Sequence, residues 1–173
     1  MDRLPVRVKL IIAATILLAI ACVIFFFDTW QADKGIGEII FFIALAMIGE
    51  SLNIALPNQI SVSVVFAISV CIVMLFPPFT ASLILAVANV FTIYKRDGKV
   101  GHIFNTPFYK TAFNASNLFI SSLAGAIAYR SLYTHGGDIS LPHAIVPITI
   151  ASFIFLAINT SLVAFLISNL LNQ

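Results

Sequence analysis

The sequence predicts an all-α integral membrane protein, a six-transmembrane-helix bundle forming a single transmembrane domain over residues 1–173. Hydrophobic residues make up 61% of the chain and charged residues only 9%, whereas a typical soluble domain is roughly 25% charged. The mean hydropathy is +1.08. Since one span needs roughly 20 mainly apolar residues, this length holds about six spans with short connections and leaves no room within it for a soluble catalytic domain.

Apolar runs define the spans, and polar or proline-containing stretches separate them. The first run follows a basic start and lacks a small-residue cleavage site before Asp28, which favours a retained span over a signal peptide. Pro57 to Gln59 and Pro77–Pro78 interrupt the next apolar region, because proline cannot continue helical hydrogen bonding. The charged stretch from Lys95 to Lys110, between helices 4 and 5, is predicted to be an interfacial segment. The predicted spans are approximately 8–27, 39–56, 60–76, 79–94, 111–132 and 143–171.

Basic residues set the predicted orientation. Seven of the nine Lys and Arg residues lie at the amino-terminal start of the chain or in the connection between the fourth and fifth spans, and the positive-inside rule places both regions in the cytoplasm. With six spans, both termini are then cytoplasmic. The predicted location is the bacterial inner membrane, in a multi-pass arrangement. The residues concerned are Arg3, Arg7, Lys9, Lys95, Arg96, Lys99 and Lys110.

Polar side chains inside the predicted spans are the candidate site residues, because in a bilayer each must face a neighbouring helix or a wet cavity. Glu50 and Asn53 are three apart and would share a helical face. Asn114, Asn117 and Ser121 follow i, i+3, i+7 spacing near the cytoplasmic start of span five. The full set of ligand-binding or polar-core candidates is Glu50, Asn53, Asn89, Asn114, Asn117, Ser121 and Asn159.

Two interpretations of these polar residues stay open. They line a cavity for a ligand or form a hydrogen-bonded relay, or they only bond helix to helix, which contributes about 0.6 to 2 kcal/mol each in membranes. Glu50 also has candidate ion-pair partners in Arg96 and Lys110 near the inner interface.

Several function classes find no support in the residues. The chain has no paired carboxylates or other acid and base set, so no catalytic residue is assigned and an enzyme is not predicted. His102, His135 and His143 fall on opposite sides of the membrane, and both cysteines lie in apolar segments, so no metal and no cofactor is predicted. The basic residues follow topology rather than a nucleic-acid footprint.

Several short motifs are spread across roughly residues 39 to 165, namely Gly49 through Pro57, Val62 to Ala67, Leu75 to Pro78, Ala81 to Asn89, Phe104–Asn105, Phe113 to Ala115 and Phe155 to Thr160. Together they resemble the membrane-embedded N-terminal sensory region of bacterial HD-GYP and diguanylate cyclase signalling proteins. In those proteins the membrane region is followed by a helical linker and a cytoplasmic domain that makes or degrades cyclic di-GMP. This chain contains neither an HD-GYP nor a GGDEF sequence.

The sequence therefore predicts a sensory or input module that transmits a ligand, lipid or partner signal through helix six to a cytoplasmic output domain, in cyclic di-GMP signalling. The competing hypothesis is a vitamin-like small-molecule binding subunit of an uptake transporter, with Tyr129, Arg130 and Tyr133 framing an external pocket. Candidate partners are membrane lipid, a small-molecule ligand, an output domain in cis or in trans, and a second copy in a homodimer. Nucleic acid is not an expected partner.

Overall fold

The computed structural model describes residues 4–29, 35–51, 53–55, 61–63, 65–96, 99–133 and 141–171. Within these ranges the chain forms six α-helices and two short antiparallel β-hairpins. A single turn of 3₁₀ helix, Phe27–Thr29, extends the first helix. The helices are α1 (Val6–Phe26), α2 (Ile36–Ser51), α3 (Val65–Leu75), α4 (Pro78–Val90), α5 (Phe108–Leu132) and α6 (Leu141–Leu171), and the strands are β1 (Asn53–Ala55), β2 (Ser61–Ser63), β3 (Tyr94–Arg96) and β4 (Lys99–Gly101).

Helix α5 lies at the centre of the bundle. It packs most extensively against α4 and α6, and also contacts α1 and α3. Its apolar side chains enter separate clusters, with Phe113 beside α1, Phe119 against α4 and Ala126 beside α3 and α6. At Gly125 the backbones of α5 and α6 come close, since an added Cβ would lie 3.1 Å from the carbonyl oxygen of Ala151. Helix α2 packs on the outside of α3 and α4.

Two helical segments, Val6–Thr29 and His143–Leu170, are long and apolar enough to cross a membrane. Each segment is mostly exposed in its most apolar stretch. In the first segment 17% of that stretch is buried within the protein, and in the second segment 11% is buried. Large apolar side chains consequently face outward along both, with Phe25 78% exposed and Phe153 73% exposed.

The six predicted helices are confirmed, but three of them are shorter than predicted. Helix α2 ends at Ser51 rather than near residue 56, and α3 and α4 are only 11 and 13 residues long. At the helical rise of 1.5 Å per residue these last two are about 16 and 20 Å long, which is less than the roughly 30 Å hydrocarbon core of a bilayer. The predicted spans 60–76 and 79–94 are therefore not full-length spanning helices.

A β-hairpin explains why α2 and α3 are short. β1 pairs with β2 in antiparallel register, with Asn53 opposite Ser63 and Ile54 opposite Val62. β-branched residues such as Ile54 and Val62 favour strands, and the pairing satisfies backbone groups that a longer helix would otherwise use. Since Asn53 lies in a strand, the predicted helical face shared by Glu50 and Asn53 does not form. The predicted loop at 57–59 is outside the described residues.

A second hairpin occupies the predicted interfacial segment between α4 and α5. β3 pairs with β4, with Tyr94 opposite Gly101. A turn follows in which Asn105 Oδ1 accepts a hydrogen bond from the backbone N–H of His102 at 2.8 Å. Pro107 then precedes α5, which begins at Phe108, three residues before the predicted start of span five.

Candidate functional site: a polar cavity between helix ends

The candidate site lies where three helices begin or end. Glu50 and Asn89 are the next-to-last residues of α2 and α4, and Phe66 is in the first turn of α3. Helices α5 and α6 continue past this level, which leaves a cavity of about 290 Å³ between them and the short helices. We call it the polar cavity. Its lining residues are Glu50, Val65, Phe66, Ser69, Asn89, Asn114, Asn117, Leu118, Phe155, Leu156, Asn159 and Val163.

The polar lining comes from five of the six helices. Glu50 is on α2, Ser69 on α3 and Asn89 on α4, while α5 supplies two asparagines and α6 supplies Asn159. The Ser69 hydroxyl donates to the carbonyl of Val65 in its own helix at 2.8 Å. The cavity is therefore a junction of helices rather than a groove on one of them.

Asn117 links the two long helices at the wall of the polar cavity. Its Nδ2 donates to Asn159 Oδ1 at 2.6 Å and to the Asn159 backbone carbonyl at 3.3 Å. The residue is only 2% exposed, and its Oδ1 has no hydrogen-bond partner among the described residues. A buried acceptor without a partner costs about 1–3 kcal/mol. The Asn117 side chain therefore joins α5 to α6 at the wall of the polar cavity.

A second cavity of about 340 Å³ adjoins the polar cavity, since Asn89 and Asn114 line both. We call it the basic cavity, because it contains Lys110 and His102. His102 Nδ1 accepts the Phe104 N–H at 3.2 Å, which leaves Nε2 as the hydrogen-bond donor of the neutral ring. The remaining lining residues are Val90, Thr92, Ile103, Thr106 and Thr111.

A third, mainly apolar cavity lies on the other side of the polar cavity. Phe66, Ser69 and Phe155 line both, and the two phenyl rings are 6.0 Å apart between centroids. Its volume of about 20 Å³ is close to what a single water needs. Tyr129 lines this apolar cavity, and its buried hydroxyl has no hydrogen-bond partner within the described part of the chain.

The structure brings together five of the residues predicted from the sequence and places the others elsewhere. Glu50, Asn89, Asn114, Asn117 and Asn159 all line the polar cavity. Ser121 is fully buried in α5, and its hydroxyl donates to the Asn117 carbonyl at 2.6 Å, so it is a packing residue beside the site. The candidate ion-pair partner Lys110 lines the basic cavity. The side chains of Asn53 and Arg96 lie outside the described part of the structure.

Sequence reasoning missed several lining residues. His102, which the sequence offered only as one of three separated histidines, is half-buried in the wall of the basic cavity. Phe66 and Phe155 give no sequence signal because they resemble any other apolar residue of a span. Ser69 does give one, since it is a hydroxyl residue in the middle of the run from Val65 to Leu75.

Tyr129, Arg130 and Tyr133, which were predicted to frame an external pocket, contact other parts of the protein. Arg130 donates to the backbone carbonyls of Phe76 at 3.3 Å and Met74 at 3.5 Å. A cation at these carbonyls stabilises the carboxyl end of α3, where helical acceptors lack partners. Tyr129 and Tyr133 stack with their ring centroids 5.4 Å apart. Arg130 therefore has a clear architectural role.

The polar cavity can donate and accept hydrogen bonds and carries one carboxylate, which suits the binding of a small polar molecule. Among the described residues, no group of three or more His, Cys, Asp or Glu side chains could hold a metal ion. Comparisons of the chain with protein-family models, with curated proteins and with solved structures found no match.

Proposed function

We propose that this chain is a multi-pass protein of the bacterial inner membrane that binds a small polar molecule in its polar cavity and acts as the input module of a signalling protein. The observation that carries the proposal is the convergence of one carboxylate and four asparagine amides, from α2, α4, α5 and α6, on one cavity. The sequence separates these residues by up to 109 positions, since the first is Glu50 and the last is Asn159.

Burial supports the membrane part of the proposal. The core helix of a soluble protein is mostly buried, whereas the apolar stretches of α1 and α6 are only 17% and 11% buried. Contiguous apolar surface of this kind marks contact with a membrane or a partner. The short helices α3 and α4 fit a bilayer if the hairpins complete the crossing. Non-helical backbone is tolerated at that depth where it lines a water-filled cavity, and the β3–β4 hairpin leads directly into the wall of the basic cavity.

The size of the cavity supports ligand binding over helix packing alone. A purely architectural role requires only the Asn117–Asn159 hydrogen bond. Asn89, Asn114 and Glu50 instead line a half-open cavity of about 290 Å³. One water needs roughly 10–15 Å³, and small-molecule pockets begin at about 300 Å³. The polar cavity therefore has room for a solute of several heavy atoms.

The position of Asn159 supports signalling through α6. A ligand shifts a conformational equilibrium only when it binds two states unequally. Asn159 lines the cavity from α6, and its side-chain oxygen accepts a hydrogen bond from Asn117 on α5. A ligand that competes for this hydrogen bond would therefore change how α6 packs against α5. With the carboxyl terminus in the cytoplasm, α6 would pass this change to an output domain in cis or in trans. The resemblance to HD-GYP and diguanylate cyclase sensory regions supports cyclic di-GMP as the output.

Native mass spectrometry of gently purified protein tests ligand binding. We expect the wild-type chain to carry a stoichiometric small polar molecule, and the Asn117→Leu/Asn159→Leu variant to lose it. Asn169→Leu is the matched control, because it makes the same change on α6 at a residue that lines none of the three cavities. Circular dichroism melting verifies that each variant folds. A wild-type protein carrying only bulk lipid would overturn the proposal.

A vitamin-uptake subunit would bind its ligand from outside. Among the described residues, the cavity that Tyr129 lines is apolar and has a volume of about 20 Å³. A co-purified ligand that is accessible only from the exterior would favour this alternative over sensing.

A further inference from the structure

The basic cavity combines hydrogen-bond donors with a positive charge. Lys110, His102 and Thr111 line it, together with Asn89 and Asn114, which it shares with the polar cavity. Lys110 is exposed and forms no ion pair with any described residue, so its ammonium is available to a ligand. The described residues that line this cavity include no carboxylate. The cavity therefore favours an anionic group.

The start of α5 adds to this preference. Lys110 and Thr111 lie in its first turn, which contains no acidic residue, and Pro107 provides no side-chain cap. The amino end of a helix carries a partial positive charge, because its first backbone N–H groups lack helical acceptors. His102 Nδ1 accepts the Phe104 N–H at 3.2 Å, so Nε2 carries the proton of the neutral ring. A helix end, a lysine and a histidine that can donate therefore meet at one cavity.

The chain segment that leads into this cavity is basic. Residues 95–110 contain four basic residues and one acidic residue, Asp97. Three of the basic residues belong to the β3–β4 hairpin, and the fourth is Lys110. Such clusters of lysine and arginine beside membrane helices attract anionic lipids, and basic pockets between the helices bind their headgroups.

Exposed apolar side chains lie next to the cavity lining along the chain. Phe104 is 92% exposed and directly follows Ile103, which lines the cavity. Phe108 is 82% exposed and begins α5 two residues before Lys110. Phe91, at the end of α4, is also exposed. A soluble anion makes no use of such side chains, whereas an amphiphile has an anionic group for the cavity and an apolar part for its surroundings.

We propose that the basic cavity binds the phosphate of an anionic phospholipid from the cytoplasmic leaflet. The phosphate lies near Lys110 and His102, and the acyl chains contact the exposed apolar side chains that include Phe104 and Phe108. This site goes beyond the proposed function, since it requires the membrane location proposed above but no ligand in the polar cavity.

Native mass spectrometry of the full chain in mild detergent, titrated with phosphatidylglycerol or phosphatidylcholine, tests the site. The two lipids share a phosphate and acyl chains, but the choline ammonium offsets the phosphate charge in the second. We expect one phosphatidylglycerol to bind about fivefold more tightly than phosphatidylcholine, because one lysine near an anionic lipid surface contributes about this factor. Equal binding of the two lipids would overturn the proposal.

Variants locate the lipid preference in the basic cavity. We expect Lys110→Gln to abolish the preference for phosphatidylglycerol and Lys110→Arg to keep it. Lys9→Gln is the matched control, because it removes the same charge on the same predicted side of the membrane from a residue that lines none of the three cavities. Circular dichroism melting verifies that each variant folds. An equal loss of preference in Lys110→Gln and Lys9→Gln would indicate general surface attraction and overturn the site.

Glycerol 3-phosphate distinguishes the lipid from a soluble phosphate ester, because it carries the phosphate without acyl chains. We expect an equal concentration of it to leave the bound phosphatidylglycerol in place, and displacement would overturn the lipid assignment. The same spectra separate this site from the proposed function. A bound phosphatidylglycerol without a polar solute supports the lipid site and overturns small-molecule binding in the polar cavity, whereas a polar solute without a phosphatidylglycerol preference does the reverse.

Discussion

Asn117 combines structural and binding chemistry in one side chain. Its amide nitrogen donates to Asn159 on α6, while its amide oxygen is buried without a hydrogen-bond partner among the described residues. The Ser121 hydroxyl donates to the Asn117 backbone carbonyl one turn away. Ser121 therefore bonds within α5, whereas the Asn117 amide bonds across to α6. Removing the Asn117 amide therefore affects helix packing and ligand binding together, and the two effects need separate measurements.

A double-mutant cycle on Asn117 and Asn159 measures the packing contribution. Asn117→Leu loses the interhelical bond, and we expect it to lower the free energy of unfolding by about 0.6–1.7 kcal/mol. Asn159→Leu leaves the buried Asn117 Nδ2 without its side-chain acceptor, and we expect a loss of about 1–3 kcal/mol. The double variant should lose less than the sum, because the second change removes a group that the first left without its partner. Unfolding in sodium dodecyl sulfate gives these values, and strict additivity would contradict the coupling.

The candidate site residues could be predicted from the sequence because each is a polar residue within an apolar run. Glu50, Asn89, Asn114, Asn117 and Asn159 were found because an amide or acid in a span must face a neighbour or a cavity. Their convergence was not predictable, since it depends on how α2, α4, α5 and α6 pack. Ser121 shows the limit of spacing arguments. It shares the i, i+3, i+7 pattern with Asn114 and Asn117, yet its hydroxyl is satisfied within its own helix.

At the scale of elements, the site exists because neighbouring helices differ in length. The helices α2 and α4 end near Glu50 and Asn89, while α5 and α6 continue, with 25 and 31 residues. Apolar runs predicted where the helices lie, but they predicted neither where α2 and α4 end nor where α3 begins. Strands of only three residues, such as β1 and β2, have too little sequence pattern to distinguish them from the end of a span, and their pairing depends on residues six to ten positions away.

Two glycines test how closely the helices approach each other. At Gly125 an added Cβ would lie 3.1 Å from the Ala151 carbonyl oxygen and 3.2 Å from the Cβ of Phe155, atoms held by the α6 backbone. At Gly49 the nearest atom is Cδ1 of Ile68, at 2.5 Å, which is the end of a flexible side chain. Alanine also gains roughly 0.5–1 kcal/mol of helix propensity over glycine. The two sites should therefore respond differently to the same substitution.

We expect Gly49→Ala to leave the unfolding free energy nearly unchanged or slightly raised, because Ile68 can adopt another rotamer. We expect Gly125→Ala to lower it by about 1–2 kcal/mol, and Gly125→Leu to lower it further, since overpacking typically costs about 1–3 kcal/mol. Detergent unfolding monitored by circular dichroism measures both. A stabilised Gly125→Ala would show that α5 and α6 do not pack as closely as the structure has them.

On the scale of the whole molecule, the cavities lie toward one end of the bundle. The start of α1 packs with the start of α5 and the second half of α6, through Val8, Ile12, Phe113 and Leu162. The polar and basic cavities lie toward this end, since both include residues from the first turns of α5. If the basic amino terminus is cytoplasmic, as the positive-inside rule predicts, the basic cavity faces the cytoplasm.

Reporter fusions test this orientation. We expect alkaline phosphatase to be active when fused after Gly137 and inactive when fused after Gly98 or Gln173, with green fluorescent protein giving the reverse pattern. The physical reason is that Lys95, Lys99 and Lys110 retain the connection around residue 98 on the cytoplasmic side, whereas residues 133–142 contain only one charged residue, Asp138. Phosphatase activity after Gly98 with none after Gly137 would show that the bundle has the opposite orientation, with the basic cavity open to the exterior. That result would make the cavity an entry site for an external solute and favour uptake over cytoplasmic sensing. The orientation therefore decides which side of the membrane supplies the ligand.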